Sequence, residues 1–252
     1  MFFTDHLCRS VFLPKPPRRI ISLVPSQTEL LVDLGLEEQI VGVTRFCVRP
    51  SQLRKSKTIV GGTKNYRFDV IEGLEPDLII GNKEENDQEG IERLAKIYPV
   101  WMSDIFDLND SLLMIADFGR ITGTEIKASE IVAQIETSLA QGTPYKGTCV
   151  YLIWDNPKMT VGKNTFIDSM LALAGFENLI QTERYPEIGE EELIRLSPNF
   201  VLLSSEPFPF REKHRKAFQK ILPESRILLV DGEMFSWYGS RLLYAMDYFN
   251  RL

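Results

Sequence analysis

The chain is predicted to be an α/β protein: two doubly wound lobes with mostly parallel sheets, joined by one long backbone helix. Three observations carry this expectation. Short apolar runs alternate with amphipathic stretches along the whole sequence, which is the pattern of βα units. A helix–proline–strand motif occurs twice, each time downstream of a second repeated motif. One helical stretch without Gly or Pro lies between the copies.

The N-terminal residues 1–17 carry Asp5, His6 and Arg9 and then Lys15-Pro16-Pro17. A secretory signal needs a basic start followed by an unbroken apolar stretch, so the segment reads as that of a cytoplasmic or already trimmed chain, with Met1 favouring the former. Strands are expected at Ile20–Val24, Ile40–Val43, Leu78–Ile80, Val100–Met102, Val150–Ile153, Phe200–Leu203 and Ile227–Val230. Helices are expected at Ser26–Leu34, Phe68–Leu74, Gly90–Ile97, Asn109–Thr122, Thr124–Gln141, Thr165–Ala174, Glu190–Leu196 and Arg211–Ile221. Ser26 with Glu29 has the spacing of a capping box, and Asn109 and Asp168 are further polar starters.

The repeat is specific in its spacing. Asp69 to Pro76 and Glu191 to Pro198 are both seven residues apart, each proline following a short helical run and preceding an apolar strand. Upstream, Glu29–Glu37 resembles Ser169–Glu177, and Gly35 and Gly175 each fall where a helix would end in the left-handed conformation. Two motifs doubled in the same order indicate a duplicated lobe. Apolar residues at 128, 131, 132, 135 and 139 fit one helix over Thr124–Gln141, within the linking segment 124–142, about 27 Å long at 1.5 Å per residue. It joins lobes at 18–123 and 146–252 stiffly; the same pattern also fits a helix packed on one sheet.

Composition removes several function classes. The 252 residues are 44% hydrophobic and 25% charged, as in ordinary soluble domains. With 29 basic and 35 acidic residues the net charge is −6, which disfavours nucleic acid as the main partner. Three cysteines without CxxC spacing and two histidines do not make a zinc site, and Cys149, in an apolar run, reads as a buried small hydrophobe. His214 lies in a charged stretch and reads as part of a solvated helix face. Neither GxxxxGK[ST], GxGxxG nor GxSxG occurs; Gly61-Gly62-Thr63-Lys64 only superficially suggests a phosphate loop.

Ligands in open α/β sheets bind beyond the carboxyl ends of strands. Loops there carry Trp154, Phe208, Phe235, Trp237 and Tyr238, suited to a large flat ligand. Any one of these aromatics fits a core position as readily; the set, in Gly/Ser/Pro-rich loops, favours a cleft. Thr63, Lys64, Asn65, Tyr66, Asn82, Lys83 and Asn86 supply polar groups for a ligand rim. The 82–86 run also fits a solvated turn, or acid/base work by Glu84 or Glu85. Arg241 could meet a ligand carboxylate or phosphate, or a local acid such as Glu233.

Arg19–Leu30, Val41–Thr44 and Leu74–Ile80 together resemble the helical-backbone (class III) substrate-binding proteins of ABC importers, with the cobalamin-receptor branch closest. The resemblance spans about residues 18–250. It implies two lobes holding one ligand between them with little closure, a corrinoid or ferric chelate as ligand, no resident cofactor, no catalysis and a monomer. It places one transporter-docking acid on each lobe, matching Asp69 and Glu191. The aromatic ligand contact of the first lobe falls in Thr63–Tyr66, with Tyr66 substituting, and that of the second in Met234–Tyr238. Haem and free-metal members rely on Tyr or His ligands, which are scarce here in the case of His. By family the location is periplasmic. The alternatives are an intracellular carrier or sensor of the same fold, and an enzyme using Glu84, Glu85 or Glu206.

Overall fold

The computed structural model describes residues 1–252. In chain order the elements are β1 (Phe2–Thr4), β2 (Ser10–Phe12), β3 (Ile20–Ser22), α1 (Pro25–Asp33), β4 (Ile40–Val43), α2 (Leu53–Ser56), β5 (Thr58–Ile59), α3 (Phe68–Leu74), β6 (Leu78–Asn82), α4 (Gln88–Ala95), β7 (Val100–Ser103), α5 (Leu108–Thr122) and α6 (Glu125–Leu139). They continue with β8 (Gly147–Trp154), β9 (Met159–Thr160), α7 (Phe166–Leu173), β10 (Phe176–Asn178), α8 (Glu190–Leu196), β11 (Phe200–Ser204), α9 (Glu212–Ile221), β12 (Arg226–Val230), α10 (Glu233–Ser236) and α11 (Ala245–Phe249).

The chain forms two compact units. The first comprises residues 1–105, 109–135 and 238–241; the second comprises 106–108, 136–237 and 242–252. The boundary therefore falls inside α6, and a four-residue piece of the C-terminal chain is built into the first unit.

The first unit holds a parallel sheet of order β5-β4-β3-β6-β7. Its core is Ile21, Leu23, Val60, Ile71, Ile79, Ile91, Leu94, Val100 and Met102. The second holds β10-β8-β11-β12, also parallel, with β9 antiparallel on β8. Its core includes Val150, Leu152, Leu193, Val201, Leu203, Phe210, Phe218 and Ile227. The strands are almost wholly apolar because both faces are covered.

The repeat is visible in three dimensions. β4-β3-β6-β7 and β10-β8-β11-β12 have the same order, with α3 and α8 entering the third strand of each. Both helices are seven residues long and end on a left-handed non-glycine residue, Glu75 and Ser197, each at φ 43°. The residue after each proline then hooks the neighbouring strand. Asp77 accepts the backbone N–H groups of Arg18 and Arg19 at 2.8 Å, and Asn199 accepts that of Thr148 at 2.9 Å. Gly35 and Gly175, at φ 85° and 82°, end α1 and α7 as expected.

Helix starts differ from the sequence reading. Pro25 opens α1 and Ser26 lies inside it, buried and making no cap. Glu29 is committed to Arg241 instead, so no capping box forms. Thr165, not Asp168, caps α7 by accepting the Asp168 N–H. α5 starts one residue ahead of Asn109. The short strands β1, β2, β5, β9 and β10 are too brief to show a period, and the sequence does not signal them.

Candidate functional site

In the first unit the carboxyl ends of the strands carry a buried polar lattice. Asn82, at the end of β6, donates from Nδ2 to Ser103 Oγ at 3.0 Å and accepts the N–H groups of Glu84 and Glu85 on Oδ1. Asn86 accepts the Asn82 N–H at 2.8 Å and donates to the Thr63 carbonyl at 3.0 Å. Gln27 completes the lattice by donating to Ser103 Oγ and the Gly81 carbonyl at 2.7 and 3.2 Å. Asn82 and Asn86, expected to hold a ligand rim, are buried and spend their amides on this lattice. An unpaired buried amide costs about 1–3 kcal/mol, so these buried side chains are held in hydrogen bonds to their neighbours.

Lys83 is exposed and pairs with Asp104 at 2.6 Å. Lys64 and Asn65 occupy the exposed tip of a tight loop closed by a Gly61–Tyr66 bridge. Tyr66 is half-buried beneath it. Its hydroxyl donates to the Thr63 carbonyl at 2.7 Å and accepts the Asp87 N–H at 3.2 Å. Burial pushes the phenol up to about 12. A Cβ on Gly90 would lie 2.5 Å from this ring, so only glycine lets it rest against α4. An open cavity of about 270 Å³ beside it is lined by Lys64, Asn65, Tyr66, Phe68, Asp87, Glu89, Gly90 and Arg93.

Three of the expected ligand contacts have partners within the protein. Arg241 lies in the first unit, donating from Nε to Glu29 Oε2 at 3.0 Å and from its second amine to Glu29 Oε1. Burial raises the Glu29 carboxyl above its usual range, against the pull of Arg241. Tyr238, in the same four-residue piece, donates to Glu85 at 2.9 Å. Burial and that carboxylate hold its phenol well above the ordinary value. Phe235 is fully buried in the second unit, 4.9 Å from Phe249 and 5.2 Å from Tyr151 between ring centres.

Trp237 is buried, and its indole N–H donates to Glu206 Oε1 at 3.1 Å, the oxygen that also accepts the Ser236 hydroxyl at 2.6 Å. Burial raises the Glu206 carboxyl, and the Ser236 bond draws it back. Glu85 and Glu206, weighed as acid/base groups, are thereby both occupied as acceptors.

The second unit does bring Trp154 and Phe208 together. Phe208 donates its backbone N–H to the Ile153 carbonyl at 3.3 Å, which lays its loop along the end of β8. The Trp154 and Phe208 rings meet edge to face at 5.6 Å, and Trp154 stays 39% exposed. Phe210 lies 4.8 Å beyond Phe208, and His214 contacts both rings at 5.3 and 5.5 Å. His214 is therefore not part of a solvated face. Its Nδ1 accepts the Arg211 N–H at 2.8 Å, leaving the neutral ring's proton on Nε2. The signal for it was the Phe208-x-Phe210-x-x-x-His214 spacing.

Phe46, in the loop just beyond β4, is 46% exposed, with the Arg45 guanidinium 5.0 Å from its ring centre. Asp69 and Glu191 are exposed at the second position of α3 and α8, equivalent places in the two units. No three His, Cys, Asp or Glu side chains converge as metal ligands, and no helix is long and apolar enough to cross a membrane.

Two lobes of equal strand order, with aromatic and polar loops at the carboxyl ends of their sheets, define a class of ligand receptor. The periplasmic binding protein family model matches residues 20–228, and the chain belongs to that family. It is 23% identical to an uncharacterized ABC transporter substrate-binding lipoprotein, YvrC, of Bacillus subtilis, over 96% of this chain and 82% of that protein. It is 26% identical to a vitamin B12-binding protein of Pectobacterium atrosepticum, over 91% and 86% of the two chains. A periplasmic heme-binding protein from Pseudomonas aeruginosa shares the fold at a TM-score of 0.79 and 23% identity, covering 92% of this chain and 91% of that one.

Proposed function

We propose that this chain is the non-enzymatic substrate-binding protein of an ABC importer and that it carries a large planar metal chelate, a corrinoid before a haem. The observation that carries the reading is the Trp154–Phe208 pair, a half-exposed aromatic shelf at the carboxyl end of the second sheet in a member of a binding-protein family. Aromatic edges of this kind give wide contact at little entropic cost. Lys64 and Asn65, exposed on the first unit, supply polar rim contacts, and Phe46 adds a second aromatic.

The similarity to a vitamin B12-binding protein supports the corrinoid choice, and the fold shared with a heme-binding protein keeps tetrapyrroles in general as the class. Asp69 and Glu191 are the docking acids toward the permease: they are exposed, and they lie in the first turn of equivalent helices. The working location is the outer face of the cytoplasmic membrane, where such an importer takes up cargo, and the protein acts as a monomer. Catalysis is not part of the reading, because Glu85 and Glu206 hold Tyr238 and the Ser236–Trp237 pair in place.

The test is an absorbance spectrum of the purified chain after incubation with cyanocobalamin, or with hemin, and removal of free ligand. About one retained chromophore per chain is expected, with the corrinoid retained more tightly. Loss of both chromophores on gel filtration would refute the reading.

A further inference from the structure

The first thirteen residues build a structure apart from the loops proposed to hold the cargo. β1 and β2 pair with Phe2 opposite Phe12 and Thr4 opposite Ser10. Alternation along each strand turns Val11 inward and leaves Phe2 and Phe12 on the outer face. Their ring centres are 4.9 Å apart, yet Phe2 is 74% and Phe12 52% exposed. Ile97, 69% exposed, lines with Phe12 an open groove of about 400 Å³ between β2 and residues 95–100.

The hairpin is rigidly mounted. The buried Asp5 carboxylate accepts the N–H groups of Leu7, Arg9 and Met102 and takes the Arg9 guanidinium at 2.6 and 2.8 Å. The His6 N–H donates to the Met102 carbonyl at 3.1 Å, fastening the turn along β7. A fixed, exposed aromatic pair is a liability unless something covers it.

Its charge says what. The whole chain carries −6, but the only acid among residues 1–19 is Asp5, buried and paired with Arg9. Lys15 and Arg18 follow the hairpin exposed, and Lys96 lines the same groove as Phe12. Apolar side chains ringed by cations are what an anionic bilayer surface binds.

We propose that this hairpin is a lipid-contact site, with Phe2, Phe12 and Ile97 entering the headgroup–acyl boundary and Lys15, Arg18 and Lys96 meeting anionic headgroups. The contact is independent of the cargo and would hold the receptor against the membrane in one orientation. It is tested by sedimenting the full chain with vesicles of phosphatidylcholine containing roughly one third phosphatidylglycerol. The wild-type chain is expected to co-sediment, with binding falling about tenfold on pure phosphatidylcholine. The F2S/F12S variant is expected to lose at least about tenfold on the anionic vesicles at an unchanged melting temperature, since both rings are exposed. K15E/K96E should lose affinity similarly. A wild-type chain left in the supernatant, equal binding to both vesicles, or unchanged binding of F2S/F12S would each overturn the proposal.

Discussion

Arg241→Met removes one half of an ion pair whose side chains are only 9% and 12% exposed. What it leaves is a buried carboxylate on α1 stripped of its paired guanidinium, with the weaker pull of Arg49 set against repulsion from Asp33 one turn away. Breaking a buried pair in this way costs about 3–5 kcal/mol, most of it the penalty of the orphaned charge. For a chain of this size that corresponds to a drop of roughly 6–20 °C in melting temperature. The loss has a defined pH dependence. Burial already raises the Glu29 carboxyl above its ordinary 4.5, and without Arg241 it rises further. A group whose folded value is raised binds its proton more readily in the native state. The variant is therefore least penalised below about pH 4.5 and progressively more so as pH rises through the folded value. Replacing both partners, as in E29M/R241M, should recover most of the loss, because a neutral pair has no charge to desolvate. Thermal melts followed by circular dichroism at pH 5 and pH 8 measure all three chains. A penalty under about 1 kcal/mol at pH 8, or one as large in the double variant, would refute the structural role given to Arg241.

Other outcomes follow from the same geometry. Phe235→Ala, which empties a fully buried site between Tyr151 and Phe249, should cost about 3–5 kcal/mol; a variant of normal melting temperature that fails to bind cargo would return Phe235 to the ligand surface. His6 lies 3.4 Å from Asp117 and near the Asp104 carbonyl, with Asp110 also facing it and Arg120 on the far side of Asp117. Burial works against its charge, but these partners outweigh it and raise its pKa. Its contribution, on the order of 1 kcal/mol, is present in full below about pH 6.5 and fades as pH rises through the folded value. The wild-type advantage over His6→Gln should accordingly shrink between pH 6 and pH 8.5, and a constant advantage would contradict the assignment. Asp69→Ala and Glu191→Ala should each depress transport in reconstituted importer vesicles without altering cargo affinity, and unimpaired transport in both would remove the docking role.

Much of the fold was legible because its signals are local. The Leu-x-Pro-Asp/Asn spacing, the apolar strand runs and the paired Gly35 and Gly175 each encode a backbone event within a few residues. α3 and α8 fall where the sequence put them for that reason. The site was less legible, since a polar residue at a strand end looks the same whether it faces a ligand or a neighbour. Asn82 and Asn86 are amides in a loop until Ser103 and the Thr63 carbonyl, far off in sequence, appear beside them. Arg241 is separated from Glu29 by most of the chain, so their pairing leaves no local signal. Phe235 and Trp154 are both aromatics after strands, and only the three-dimensional packing separates a core ring from an exposed one. His214 was obscured by its charged neighbours, which do face solvent while the imidazole turns to Phe208 and Phe210.

The measurement closest to the central claim is a fluorescence titration of the chain with cyanocobalamin, beside the Trp154→Leu variant. Saturable quenching at one ligand per chain is expected, with affinity at least about tenfold weaker in the variant, as for loss of an aromatic anchor. Saturable binding of equal strength in both chains would remove the aromatic shelf from the site, and no saturable quenching by cyanocobalamin or hemin would contradict the account of the protein as a chelate receptor.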